Sequence, residues 1–415
     1  MPVAMNYILK CICLSIIIFE LSGKVYAGDY DQATASKPSH QSFTSFSGNP
    51  LAPVSVSHKT KVLGQKLMLD LRYFCNDDTP SKQCRQAVTK LPHELSSLLT
   101  RHAIGGVILF TDNLTTPTQI RELTDQLHAT AQDPALPLFI AVDQEGGRVA
   151  RLPTHYSPAF AGNMALGATY NVHHTNLARQ VAKVIGQDLR ALGINVNFAP
   201  TVDVNANPLN PVINVRSFGE SASLVSQLGS AMTQSLQEQG VLAAIKHFPG
   251  HGDTHTDSHT GLPQVTHDVE TIMAQDIAPF AHIITNAQPA FVMTAHIQFP
   301  KLDDSTLLAA NGTRQIRPAT LSRTILTNIL REQLQFTGLI VTDALDMAGI
   351  AQYFTPLEAV LETFNAGADI ALMPFTIRNA QDIREFDVFM SELSEKIHTA
   401  DLADSFARIA RIKQQ

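Results

Sequence analysis

Eight strand-length apolar runs constrain this chain more than any other feature of it: Leu67 to Leu71, Gly106 to Phe110, Leu138 to Val142, Asn195 to Ala199, Leu242 to Lys246, Ala290 to Thr294, Leu339 to Thr342 and Asp369 to Met373. None alternates cleanly between apolar and polar residues, as expected of strands buried on both faces of a parallel sheet. Helical patterns lie between them. Leu177, Val181, Val184, Ile185, Leu189 and Leu192 fall on one face at three-four spacing, and so do Leu224, Leu228, Met232 and Leu236. Strand and helix alternate eight times, the count of a (β/α)8 barrel rather than of an open doubly wound sheet. No glycine-rich dinucleotide fingerprint follows the first run. The expected fold is therefore α/β: a single (β/α)8 TIM-type barrel over residues 58–415, with no second sandwich domain and a last amphipathic helix from Leu402 to Ile412.

The residues before the first run differ in kind. Lys10 precedes the apolar run Cys11 to Phe19, and Val25-Tyr26-Ala27 offers a small-residue cleavage site, so residues 1–27 read as a secretory signal peptide. The run ends at Glu20 and is well short of the roughly 20 residues needed to cross a bilayer, so no stable membrane span is expected once the leader is removed. Residues 28–57, rich in Ser, Thr, Gln and Pro, read as a flexible polar linker. The expected location is periplasmic or secreted. Leader removal takes Cys11 and Cys13 with it and leaves Cys75 and Cys84, which flank a short polar loop and are expected to pair in an oxidising compartment. Closing so short a loop contributes roughly 2.5–3 kcal/mol in the chain-entropy account. A net charge of −7 with both signs scattered and no basic run excludes a nucleic-acid footprint.

Polar residues at the strand ends carry the chemistry. Asp143 ends the third run, Lys246 and His247 end the fifth, His296 follows the sixth and Asp343 follows the seventh. A barrel gathers such residues into one pocket at the C-terminal ends of its strands. Asp343, a lone carboxylate directly after a buried strand, suits a nucleophile. Asp257 and His259 are one residue apart in an irregular loop, where the carboxylate fixes the imidazole's tautomer and makes His259 a plausible acid or base. Lys246, Arg151 and Arg216 supply donors and Asp143 can accept from vicinal hydroxyls, a pocket suited to a polyol such as a sugar. His247, His251, His255 and His259 are spaced by four, but Pro249, Gly250 and Gly252 remove the helix that would stack them as metal ligands. The site is read as metal-free, with His251 and His255 facing solvent.

The stretch Lys246-His247-Phe248-Pro249-Gly250-His251-Gly252-Asp253-Thr254, followed by Asp257-Ser258-His259, closely resembles the signature of the β-N-acetylglucosaminidase branch of glycoside hydrolase family 3. Asp143-Gln144-Glu145-Gly146-Gly147-Arg148, Phe198-Ala199-Pro200 with Asp203, Arg216-Ser217-Phe218-Gly219, Thr294-Ala295-His296, Thr342-Asp343-Ala344-Leu345 and Ala366-Gly367-Ala368-Asp369 match in the family's order. The resemblance implies a retaining β-N-acetylhexosaminidase acting on peptidoglycan fragments or chitin-derived sugars, with no cofactor. It implies that Asp343 is the nucleophile, that His259 assisted by Asp257 is the acid/base, and that Asp143, Arg151, Arg216, Lys246 and His247 hold the sugar. Glycosidases more often use two carboxylates. The same site could instead pass the sugar to phosphate, as an N-acetylglucosaminide phosphorylase. A third reading, a non-catalytic cell-wall sugar-binding module, is disfavoured by the full catalytic set and by the absence of tryptophan. The polar segment from Lys301 to Arg317 is long relative to the family's link and is expected to shape the substrate entrance.

Overall fold

The computed structural model describes residues 56–77, 79–254, 262–398 and 400–415. The expected signal peptide, and the expected linker as far as residue 55, lie outside the described residues. Val56 and Ser57 are not linker, because they already belong to the helix Val56–Gln65.

Eight strands form one parallel sheet: β1 (Leu67–Asp70), β2 (Gly106–Ile108), β3 (Phe139–Val142), β4 (Val196–Asn197), β5 (Leu242–Phe248), β6 (Phe291–Thr294), β9 (Leu339–Val341) and β10 (Ala371–Leu372). Their spatial order is β10-β1-β2-β3-β4-β5-β6-β9. Val341 bridges Ile370 in parallel, and the amides of Asp369 and Ile370 donate to the Ile340 carbonyl at 2.8 and 3.0 Å, which links β9 to the β10 segment and closes the ring. Each of the eight expected apolar runs holds one strand of this barrel.

Alternation within the strands explains why they read as continuous apolar runs. Met68 joins an inner cluster with Ile108, Phe139, Val196 and Phe291, while its neighbours Leu67 and Leu69 join the larger cluster shared with the surrounding helices. Both faces are buried, so apolar residues predominate on each, and polar strand residues such as Asn197 and Lys246 are hydrogen-bonded. The last helix, Ala400–Lys413, sends Ile409 and Ile412 into the inner cluster. Its Lys413 Nζ donates to the Gly105 carbonyl at 2.8 Å, next to the start of β2. The helix thus covers the end of the barrel opposite the strands' C-termini.

The helix Asn176–Ala191 departs from its expected face. Ala178, Ala182, Ile185, Gly186 and Leu189 are its buried residues, and Val181 and Val184 are only half-buried. Small residues sit at the centre because the helix Ala222–Glu238 and the turn after it approach closely: a Cβ on Gly186 would lie 2.8 Å from that of Gln239. The Lys301–Arg317 segment holds an antiparallel hairpin, β7 (Thr306–Leu308) with β8 (Arg314–Ile316), following β6. Cys75 and Cys84 are bonded at 2.06 Å in the loop that follows β1.

Candidate active site

A pocket of about 330 Å³ opens at the C-terminal ends of the strands. It brings together Asp143, Arg151, Arg216, Lys246, His247 and Asp343 from five separate segments of the chain. Asp257 and His259 lie outside the described residues. Apolar side chains at its base, among them Ile108, Phe198 and Met293, belong to the inner cluster of the barrel, so the polar groups stand on a packed floor.

The strand-five side of the pocket is a buried ionic cluster. Lys246 Nζ donates to Asp143 Oδ1 at 2.8 Å and reaches Glu145 Oε1 at 2.7 Å. Arg216 grips Glu145 with Nε and Nη2, at 2.9 and 2.7 Å. Arg151 is 3.9 Å from Asp143, too far for a hydrogen bond. Burial alone would push the Glu145 carboxyl up, but Lys246 and Arg216 outweigh it and hold Glu145 well below the usual carboxylate range. Burial likewise works against the Lys246 charge, yet Asp143 and Glu145 raise its pKa above the ordinary lysine value. Glu145 therefore holds both cations in one geometry before any ligand arrives. Arg216 lines the pocket with its donors directed to Glu145 and to the Val212 carbonyl.

Consecutive residues of a regular strand point to opposite faces. The pairing of β5 with β6 slips register between Ile245 and Phe248, and both Lys246 and His247 line the pocket. His247 Nδ1 lies 2.8 Å from Asp203 Oδ2, an arrangement that places the proton on Nδ1 and turns Nε2 away from the carboxylate. The other oxygen of Asp203 accepts from the amides of His247 and His251, at 3.1 and 2.8 Å. Asp203 is fully buried. Burial raises its pKa, but His247 and these bonds prevail and keep it ionised.

Asp343 faces this cluster from the end of β9. Its Oδ1 accepts from the Ala344 amide at 2.8 Å. Burial pushes its carboxyl up, but His247 and His296, then the Ala344 amide and Lys246, hold it below the usual carboxylate range. A carboxylate that stays ionised in a lined pocket, with one oxygen held by the backbone, can act as a nucleophile. His296 is buried behind it, bonded to Thr320 Oγ1 through Nδ1 at 2.8 Å and to the Ala344 carbonyl through Nε2 at 2.9 Å.

His251 corrects an expectation. It is 2 % exposed and lines the pocket, with Nδ1 at 2.8 Å from Thr254 Oγ1. Burial, reinforced by the nearby His247, lowers its pKa to about 4, so it is neutral near pH 7. The turn holding it is pressed onto the segment after β4. Asn210 Nδ2 donates to the His251 carbonyl at 2.8 Å, and a Cβ on Gly252 would lie 1.6 Å from the Val204 carbonyl oxygen. Glu145 and Asp203 were singled out by no strand-end argument, since each is displaced from its strand's last residue. Their signal was a carboxylate next to a glycine pair and one shortly after Ala199-Pro200. Among the described residues, no group of three His, Cys, Asp or Glu is placed to hold a metal ion.

Comparison with known proteins bears on the family of the chain. The sequence matches the profile of the glycosyl hydrolase family 3 N terminal domain over residues 76–412. It is 54 % identical over 362 residues to beta-hexosaminidase A of Pseudoalteromonas piscicida, a match that covers 85 % of this chain and 60 % of that protein. It is 36 % identical over 290 residues to a beta-hexosaminidase of Thiobacillus denitrificans, covering 69 % and 76 %. A solved glycoside hydrolase family 3 beta-N-acetylglucosaminidase from Paenibacillus is similar at 37 % identity and a TM-score of 0.73, covering 86 % of this chain and 62 % of that one. The chain thus spans less than two thirds of the length of the first and the third of these proteins.

Proposed function

The chain belongs to glycosyl hydrolase family 3, and on that premise we propose that it is a retaining β-N-acetylhexosaminidase that removes terminal β-linked N-acetylglucosamine. The observation that carries this reading is the opposition of Asp343 to the Asp143–Lys246–Glu145–Arg216 cluster across one pocket. In the proposed reaction, Asp143, Arg151, Lys246 and His247 bind the hydroxyls of the sugar. Asp343 attacks the anomeric carbon as the bond to the departing oxygen breaks, giving a glycosyl-enzyme. His259, held by Asp257, donates its proton to that oxygen. It then takes a proton from water as the hydroxide attacks the anomeric carbon and frees Asp343. The relatives named above as hexosaminidases support the sugar specificity.

Peptidoglycan fragments or chitin-derived sugars are the proposed substrates, met in the periplasm or outside the cell. The apolar leader with its small-residue cleavage site supports export, and so does the Cys75–Cys84 bond, a pairing typical of oxidising compartments.

The test is release of p-nitrophenol from its N-acetyl-β-glucosaminide, with and without phosphate and a chelator. Turnover indifferent to both is the expected result. A requirement for phosphate would make the protein a phosphorylase, loss with chelator would bring in a metal, and binding without turnover would make it a sugar-binding module.

A further inference from the structure

Asp276 is a buried carboxyl that the proposed reaction does not use. It lies in the π-helical stretch Ile272–Ile277 and is 2 % exposed. Its Oδ2 is buried without a hydrogen-bond partner. The side chain is pressed against the turn that follows β5: a Cβ built on Gly250 would lie 2.7 Å from Asp276 Cβ and 3.1 Å from its Oδ1. The next residue of that turn, His251, lines the pocket.

Negative charge already gathers here. Asp253, on the same turn, and Asp203, on the segment after β4, are close enough to act on the Asp276 charge. Asp253 is paired with His267 at 2.8 Å and Asp203 with His247 at 2.8 Å, while His251 is neutral near pH 7. The helical segments packed against this stretch, Ala222–Glu238, Val269–Thr271 and Ala278–Ala287, carry Glu238, Glu270 and His282, all exposed, as is Asp268 before the second of them. None of these supplies Asp276 with a counter-charge. Burial, then Asp253 and Asp203, push its carboxyl up to about 7. Below that pH the group is neutral, and an unpaired neutral oxygen costs far less than an unpaired buried charge. Above it, a further carboxylate stands near Asp203, whose Oδ1 holds the amides of His247 and His251.

We propose that Asp276 is a positioning residue, whose neutral carboxyl seats the Gly250–His251 turn against Asp203 and whose ionisation displaces that turn from the pocket. The proposal rests on the N-acetyl-β-glucosaminidase reading and adds to it an upper pH limit set by a residue that does not touch the sugar.

The experiment follows kcat/KM for the aryl N-acetyl-β-glucosaminide from pH 5 to 9 in wild type, Asp276→Asn and Asp276→Leu. Neither variant can ionise at this position, and thermal unfolding at pH 6 shows that each is folded. Loss of the His259 proton lowers activity too, but both variants leave His259 in place. The ratio of kcat/KM at pH 8 to that at pH 6 is expected to be roughly tenfold higher in Asp276→Asn than in wild type. The same ratio within twofold would overturn the proposal. A second readout needs no substrate. Between roughly pH 3.9 and 7 the folded chain keeps a proton on Asp276 that the unfolded chain has lost, so wild type should lose stability relative to Asp276→Asn as pH rises through that window. Urea midpoints at each pH measure this, and a constant difference would also overturn the proposal. Wild-type turnover separates the two levels: with it, only the Asp276 assignment is at stake, and without it at every pH the parent reading fails and the catalytic role of Asp276 with it.

Discussion

At the scale of the residue, Asp343 and Glu145 are both carboxylates held in opposite settings. Asp343 lies two residues beyond β9 with one oxygen bonded to its own neighbour's amide, and the other is left to the pocket. Asp343→Asn should remove about a thousandfold or more of the turnover, since an amide is no nucleophile, while the melting temperature changes little. Aryl glycoside kinetics and a thermal melt check both halves. Glu145 is 2 % exposed and closed on two sides by cations. Glu145→Ala would leave Arg216 unpaired in a buried position, and the expected loss of stability is about 3 kcal/mol, read from urea unfolding. Much of this was legible beforehand. A carboxylate directly after an apolar run pointed to Asp343, and Lys246-His247 announced itself in the same way. Glu145 was not, because a sequence shows three charged residues near strand ends but not which of them meet each other. The buried state of His251 was hidden for a related reason: a histidine beside two glycines looks solvent-facing until the segment that covers it, here Asn207 to Asn210, is known.

At the scale of the element, the turn after β5 is shaped by what lies under it. Gly252 touches the Val204 carbonyl so closely that any side chain must displace one of the two segments. Gly252→Ala is expected to cost about 1–3 kcal/mol of stability. It should also lower kcat, because the same turn leads directly into the segment with Asp257 and His259. An unchanged melting curve together with unchanged kcat would show that the turn yields freely. The strands were readable as elements because dry faces on both sides enforce continuous apolar runs. The helix Asn176–Ala191 was readable in place but not in its facing. Its interface centres on Ala178, Ala182 and Gly186, and small residues carry almost no signal in a pattern built from large apolar ones. The hairpin in Lys301–Arg317 was visible only as unexplained length, since its partly exposed strands Thr306–Leu308 and Arg314–Ile316 have no apolar pattern.

At the scale of the whole molecule, chemistry sits at one end of the barrel and closure at the other. The closed end contains two buried lysines. Lys66 Nζ donates to the Ala368 carbonyl at 3.2 Å and also bonds Ser405, while Lys413 Nζ reaches the Gly105 carbonyl beside the Phe139 ring. Burial lowers the pKa of each to about 7. The folded protein therefore binds fewer protons than the unfolded chain between about pH 7 and the ordinary lysine value of roughly 10.4, and stability should rise with pH across that window. Lys413→Met removes one of the two groups. The stability of wild type relative to this variant should grow as pH increases from 7 to 10, measured by urea midpoints at each pH, and a constant difference would refute the assignment. The ring itself imposes an order on how the molecule can come into being. Leu67 and Met68 of β1 find one of their two neighbours in Ala371 and Leu372, near the far end of the sequence. A chain emerging from a ribosome therefore carries an apolar strand edge with no partner through nearly all of its synthesis. That open edge is where an incomplete chain is exposed to wrong pairing with other strands.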